Sequence, residues 1–153
     1  MRNAFFSSLF AVFCLLASIA DAAPGIALEG GRARETAPGQ TIGAGYVTIV
    51  NTSLKPDRLL RVTSAAASEV QIHDTSMQDG MMQMRPITAG LPIPANARVE
   101  LKPGSMHLML IRLEKPLVTG ASFPVTFEFE RSGRLVTRFT VESTGSTNAV
   151  EHR

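Results

Sequence analysis

"FPVTFEFERSGRLVTRFTVE", residues 123–142, decides the fold. In its first half Val125, Phe127 and Phe129 alternate with Thr126, Glu128 and Glu130. A period of two is the mark of a strand with one dry and one wet face. "RSG" at 131–133 turns the chain into "RLVTRFTVE", so the stretch reads as a hairpin. The same texture runs through the chain from residue 24, where helical periodicity is almost absent. Short β-rich runs recur between Gly, Pro, Asn and Asp. Strands are expected near 26–34, 44–51, 57–64, 68–75, 81–87, 97–101, 106–113, 123–130 and 134–142. Loops are expected at "APGQTIGAG" (37–45), "SLKPD" (53–57) and "LPIPANA" (91–97). The reading is all-β: one antiparallel sandwich or barrel.

The 153 residues suit a single domain, with 44% apolar residues to build its core. A net charge of +2, with Lys and Arg scattered, makes no case for a nucleic-acid partner. Residues 1–23 read as a signal peptide. Arg2 is the positive start, "AFFSSLFAVFCLLASIA" the apolar segment, and "ADA" at 20–22 the small residues before a cut after Ala22 or Ala23. The apolar segment is too short and wrongly flanked to span a membrane, and no span is expected in the mature chain. Residues 24–142 form the folded domain, and the polar tail 143–153 is expected to be disordered. The single cysteine, Cys14, lies in the leader, with Phe13 before it rather than the small residue a lipoprotein cut would want. A mature chain without cysteine, sent to an oxidising compartment, must bind any soft metal without thiolate.

Methionine is concentrated. Apart from Met1, all six fall between residues 77 and 109: Met77, Met81, Met82, Met84, Met106 and Met109. His73 and His107 lie in or beside that window. Taken singly, Met77, Met81, Met82 and Met106 read as core filler. Met81 and Met82 fall on opposite faces of a strand. His107 and Met109 are two apart and share a face, while Met106, Leu108 and Leu110 face the core. A hairpin loop at Met77–Gly80 would place His73 directly opposite Met84, with Cβ atoms about 4.5–5.5 Å apart. Two imidazoles and two thioethers, His73, Met84, His107 and Met109, suit copper, above all Cu(I), because soft sulfur selects soft ions. The competing reading is an interaction domain whose methionines are core. His152, in the tail, reads as inert. No G-x-S-x-G, mature cysteine or triad suggests an enzyme.

At these residues the chain resembles the PCu(A)C family of periplasmic copper chaperones. The family signature is a histidine, ten residues, a methionine, about twenty-one residues, then His-x-Met. Here His73 is followed by ten residues and Met84, then by twenty-two residues and "HLM" at 107–109. "ARETAPGQTIGAGYVTIVN" (33–51), "MRP" (84–86) and "ELKPGSMHLML" (100–110) fit as well, and the likeness covers roughly residues 28–142. Family members often carry a methionine two positions after the first histidine, where this chain has Thr75. The resemblance implies a cupredoxin-like β-sandwich and Cu(I) held by His73, Met84, His107 and Met109. It implies periplasmic delivery of copper toward the dinuclear copper site of cytochrome c oxidase, often beside a Sco-type thiol protein. A monomer is expected. Copper storage or resistance is the alternative role.

Overall fold

The computed structural model describes residues 25–145. Residues 1–23, expected to be a signal peptide, and His152 lie outside the described residues, as does the tail from residue 146. Ten strands are present: β1 Ile26–Arg34, β2 Ile42–Asn51, β3 Asp57–Thr63, β4 Ala67–Gln78, β5 Met81–Pro86, β6 Leu91–Ile93, β7 Ala97–Leu101, β8 His107–Leu113, β9 Ser122–Phe129 and β10 Gly133–Glu142. No helix among the described residues is long and apolar enough to cross a membrane.

Seven strands close into a barrel in the order β4-β8-β2-β1-β10-β9-β3, and the single bridge Val62↔Val70 joins β3 back to β4. Three strands lie outside the ring: β5 extends from β4, β6 lies on β3, and β7 pairs with the second half of β2. Pairing is antiparallel except between β1 and β10, which run parallel through Arg32↔Thr140 and Arg34↔Glu142. The all-β barrel is as expected from the alternation. Val125, Phe127 and Phe129 of β9 are buried, and Phe139 and Val141 of β10 join them with Ile49, Leu59, Leu101 and Leu108. Burying each such side chain contributes about 1.5–3 kcal/mol. β1 crosses Phe139 so closely that a Cβ on Gly31 would stand 2.8 Å from the Phe139 ring and 2.9 Å from the Arg138 carbonyl oxygen.

Two loop expectations are corrected. The last four residues of "APGQTIGAG", 42–45, belong to β2. "LPIPANA" contains a strand, β6, paired to β3 through Asp57↔Ile93 and Leu59↔Leu91. Leu91 and Ile93 are buried and Pro92 between them is exposed. Pro92 is tolerated because β6 lies at the end of the strand order, where a missing N–H need not meet a neighbour.

Two buried polar side chains tie loops to this frame. The Asn51 amide donates to the carbonyls of Lys55 and Pro94 at 2.9 and 3.0 Å, and its oxygen accepts from the Ser53 amide and hydroxyl. Asp57 holds the β9–β10 turn. Its carboxylate accepts from the backbone amides of Arg58, Arg131 and Ser132 and from the Ser132 hydroxyl at 2.6 Å. Burial pushes the Asp57 pKa up, but the Ser132 hydroxyl and these amides outweigh it and hold the carboxyl below its ordinary value.

Because the folded value is the lower one, the stabilisation from Asp57 is full above the unfolded value of about 3.9. It is lost as pH falls through the folded value. Asp57→Ala should cost roughly 2–4 kcal/mol at neutral pH in urea unfolding, since it strands charge-assisted donors of the turn. The variant should also lose less stability than the parent below pH 4. A loss under about 1 kcal/mol would mean water replaces the carboxylate without penalty.

Candidate metal centre

The site grows from the core register of β4 and β8. Ile72↔Leu108 and Val70↔Leu110 pair across the two strands, and Ile72, Leu108 and Leu110 are buried. Alternation then sends the odd-numbered residues of both strands to the other face. His73 stands directly opposite His107, and Gln71 opposite Met109. The two imidazole rings lie 6.1 Å apart, centroid to centroid. β8 is launched by the turn Lys102–Ser105, in which Pro103 and Gly104 (φ +76°) take the central positions. The Ser105 amide donates to the Lys102 carbonyl at 3.2 Å, the pattern of a type II turn.

The fourth side chain arrives on β5, in a register that differs from the expected one. His73 faces Pro86, and Met84 faces Thr75. Asp79 (φ +52°) and Gly80 (φ +75°) both adopt the left-handed conformation, so the connection is a two-residue turn of type I′ character rather than a four-residue loop. β4 therefore runs on to Gln78 and the pairing shifts by two. A shift of two preserves the face. Met84 remains on the side of His73, one rung diagonally along, and lines a cleft of about 250 Å³ together with His107, Met109, Arg34, Gln40 and Ala44. Thus the His107, Met109 and Met84 side chains share one cleft, and the His73 ring lies beside that of His107.

Hydrogen bonds fix which nitrogen of each ring is bare. The Gln71 amide donates to Glu69 at 2.6 Å, which turns its oxygen toward His73. That oxygen lies 2.8 Å from His73 Nε2 and can only accept, so Nε2 carries the hydrogen. His73 Nδ1 is then a lone pair. It is buried and has no hydrogen-bond partner. His107 donates from Nδ1 to the Ser105 carbonyl at 2.9 Å, so Nε2 is the nitrogen left to bind a metal. Each imidazole is held by one nitrogen to an acceptor and offers the other, the usual arrangement behind a metal-binding histidine. Neither Glu69 nor Gln71 was among the candidates from sequence. Their signal was available in "EVQIH", where Glu69, Gln71 and His73 share a face at period two.

The six methionines divide. Met106 packs against the core, as expected of filler. Met77, Met81 and Met82 do not. They are exposed, because the β4–β5 hairpin runs past the barrel and has no layer above it. Among the described residues no group of three or more His, Cys, Asp or Glu side chains gathers to hold a metal. Any site at this cleft must draw on thioether sulfur.

The family model of the LpqE-like lipoproteins matches residues 26–141. The chain belongs to this family, which is the PCuAC family. The copper-bound PCuAC domain from PmoF2 superposes with a TM-score of 0.67 at 29% identity, covering 79% of this chain and 96% of that domain. The Cu(I) form of DR1885 from Deinococcus radiodurans does so with a TM-score of 0.63 at 28% identity, covering 80% of this chain and 81% of that one. The barrel is thus the cupredoxin-like β fold of PCuAC domains. A chain of Leifsonia xyli subsp. xyli named as a lipoprotein, Lxx21020, is 34% identical over 93 residues, 61% of this chain and 56% of its own length. RP573 of Rickettsia prowazekii is 29% identical over 105 residues, 69% of this chain and 58% of its own. The PCuAC chain described here spans less than two thirds of either relative.

Desolvation lowers the His73 pKa below the ordinary imidazole value, and the proximity of His107 lowers it further. In a pH titration followed by NMR, the His73 ring should titrate with a midpoint below 6.5, the value of a free imidazole. Its contribution to stability is therefore full above about 6.5 and lost on acidification toward the folded midpoint. A His73 midpoint at or above 6.5 would show that the bare Nδ1 is open to solvent.

Proposed function

We propose that the chain is an exported copper chaperone that carries Cu(I) on His73 Nδ1, His107 Nε2 and the thioethers of Met84 and Met109. The observation that carries this reading is the buried, unpartnered Nδ1 of His73, on a ring 6.1 Å from that of His107, which lines one cleft with Met84 and Met109. A buried polar atom without a partner costs free energy, and a metal ion would satisfy it. The donor set is soft and keeps no proton on sulfur, which favours the monovalent ion over the divalent one. The copper-bound PmoF2 domain and the Cu(I) form of DR1885 support copper as the cargo.

The exposure of the donors suits transfer. His107 is only 8% exposed and Met84 52%. Met84 is thus the donor an approaching partner displaces first, while the histidines keep hold of the ion until new ligands are in place. The receiving protein we propose is the copper subunit of cytochrome c oxidase or a Sco-type thiol protein. An electron-transfer role is disfavoured, because blue copper sites need a cysteine thiolate and residues 24–153 contain none.

The reading is tested by Cu(I) competition titration with one donor changed at a time. His73→Ala, His107→Ala, Met84→Leu and Met109→Leu should each weaken binding at least about tenfold, the lower end of what even outer-shell changes cost at metal sites. Unchanged affinity in a Met84→Leu/Met109→Leu protein would leave the methionines as packing and end the proposal.

A second measurement addresses the Glu69–Gln71–His73 chain. Gln71→Leu removes the acceptor that holds His73 Nε2–H and should weaken Cu(I) binding about tenfold. Thermal stability should change little, since Gln71 lies outside the core. Full affinity in that variant would mean that packing alone orients the ring.

A further inference from the structure

The β4–β5 hairpin carries three methionines that neither the core nor the proposed four-donor site uses. Met77, Met81 and Met82 are 65%, 65% and 72% exposed. Apolar packing does not explain them, since none of the three belongs to the core or packs against it. Their register separates them. Met77 pairs with Met82, while Met81 pairs with Gln78 on the next rung. In β4 the face of His73 is the face of Thr75 and Met77, and in β5 it is the face of Met84 and Met82. Two rungs of one face therefore present Met77 beside Met82, then Met84 beside Thr75. Met81 points the other way.

The rung itself favours a shared ligand. The Ile87 amide donates to the Ile72 carbonyl at 2.8 Å, so rung 72–87 is a hydrogen-bonded one. Counting outward by twos, rungs 74–85, 76–83 and 78–81 are of the same kind. The rung joining Met77 and Met82 is then non-hydrogen-bonded, the type that brings opposed side chains closest, with Cα atoms about 4.5 Å apart. Two flexible thioethers at that spacing can turn their sulfurs onto one ion. Met84, about 7–8 Å along the diagonal, is within reach of a third contact.

We propose that Met77 and Met82, with Met84 as a shared third donor, form an outer thioether site for a soft monovalent cation, Cu(I) or Ag(I). The site is distinct from the four-donor one and feeds it. Met84 belongs to both, so an ion captured at the hairpin tip moves inward by exchanging Met77 and Met82 for His73, His107 and Met109. No electron or proton is transferred in this exchange. The feeding role rests on the four-donor reading above, whereas the outer site itself does not.

The test is a silver(I) titration of the full chain, followed by NMR of the methionine ε-methyl groups, in the parent and in His73→Ala/His107→Ala. In the parent, the first equivalent should shift Met84 and Met109 and later equivalents Met77 and Met82. In the histidine-deleted variant, the first equivalent should shift Met77, Met82 and Met84 together. Met81 should stay unshifted in both, and Met77→Leu/Met82→Leu should abolish the later phase while leaving the first intact. Because these side chains are exposed, the leucine variant has no core to disrupt. The outer site is overturned if Met77 and Met82 fail to shift in either protein. It is equally overturned if Met81 shifts as strongly as they do, since that would be indiscriminate thioether binding. If Met77 and Met82 respond but the first equivalent in the parent leaves Met84 and Met109 unmoved, the outer site stands and the four-donor site falls.

Discussion

The pairing of Ile72 with Leu108 in the barrel wall is the constraint on which the site depends. Both side chains are buried, and so are Leu110 beside them and Val62 across the closure. A slip of one residue in β4 against β8 would turn Val70 and Ile72 outward and bury His73 in their place. Each apolar side chain so exposed would forfeit about 1.5–3 kcal/mol, and an imidazole would enter the core without partners. The hydrophobic core thus sets the register, and the register sets the two histidines side by side. No direct attraction between the rings is needed, and mutual repulsion would oppose it if both were charged.

Polar contacts on the outer face then refine what the core has placed. Glu69 orients Gln71, Gln71 holds one nitrogen of His73, and the Ser105 carbonyl holds one nitrogen of His107. One nitrogen of each ring is thereby held as a donor, so that the other is the one left to bind. The methionines have no such restraint. Met84 is the exposed edge of the cleft and His107 its covered part. For the proposed copper site, that division would hold an ion on one side and yield it on the other.

Much of this was legible in the sequence. Alternation in "FPVTFEFE" and "RLVTRFTVE" was enough for the strands, and His-x-Met at 107–109 was enough for a shared face. The pairing of His73 was misread because "DG" admits two loop lengths, and only the positive φ of both Asp79 and Gly80 selects the shorter one. The error left the face unchanged, since parity survives a shift of two. β6 was hidden by Pro92, and the parallel β1–β10 pair closes over a sequence distance that no local pattern encodes. The direct opposition of His73 and His107 was illegible for the same reason. It belongs to two strands separated by β5, β6 and β7 in the chain.

Thr75 connects the two halves of the methionine distribution. It sits directly opposite Met84, so a methionine there, as PCuAC proteins often have, would face Met84 across the rung and add a thioether to the buried site. This chain has instead a hydroxyl at that position and a methionine pair one same-face rung farther out. The soft donors are displaced toward the tip of the hairpin rather than lost. Four donors suffice to hold a monovalent ion, whereas thioethers beyond them act while the ion is still partly solvated. A face that runs from an exposed Met77–Met82 rung to the covered His73–His107 rung grades the donors from soft and mobile to fixed and more basic. On the proposed reading, an ion entering at the tip would meet progressively better ligands as it moves inward, and on leaving would retrace the same face toward a partner.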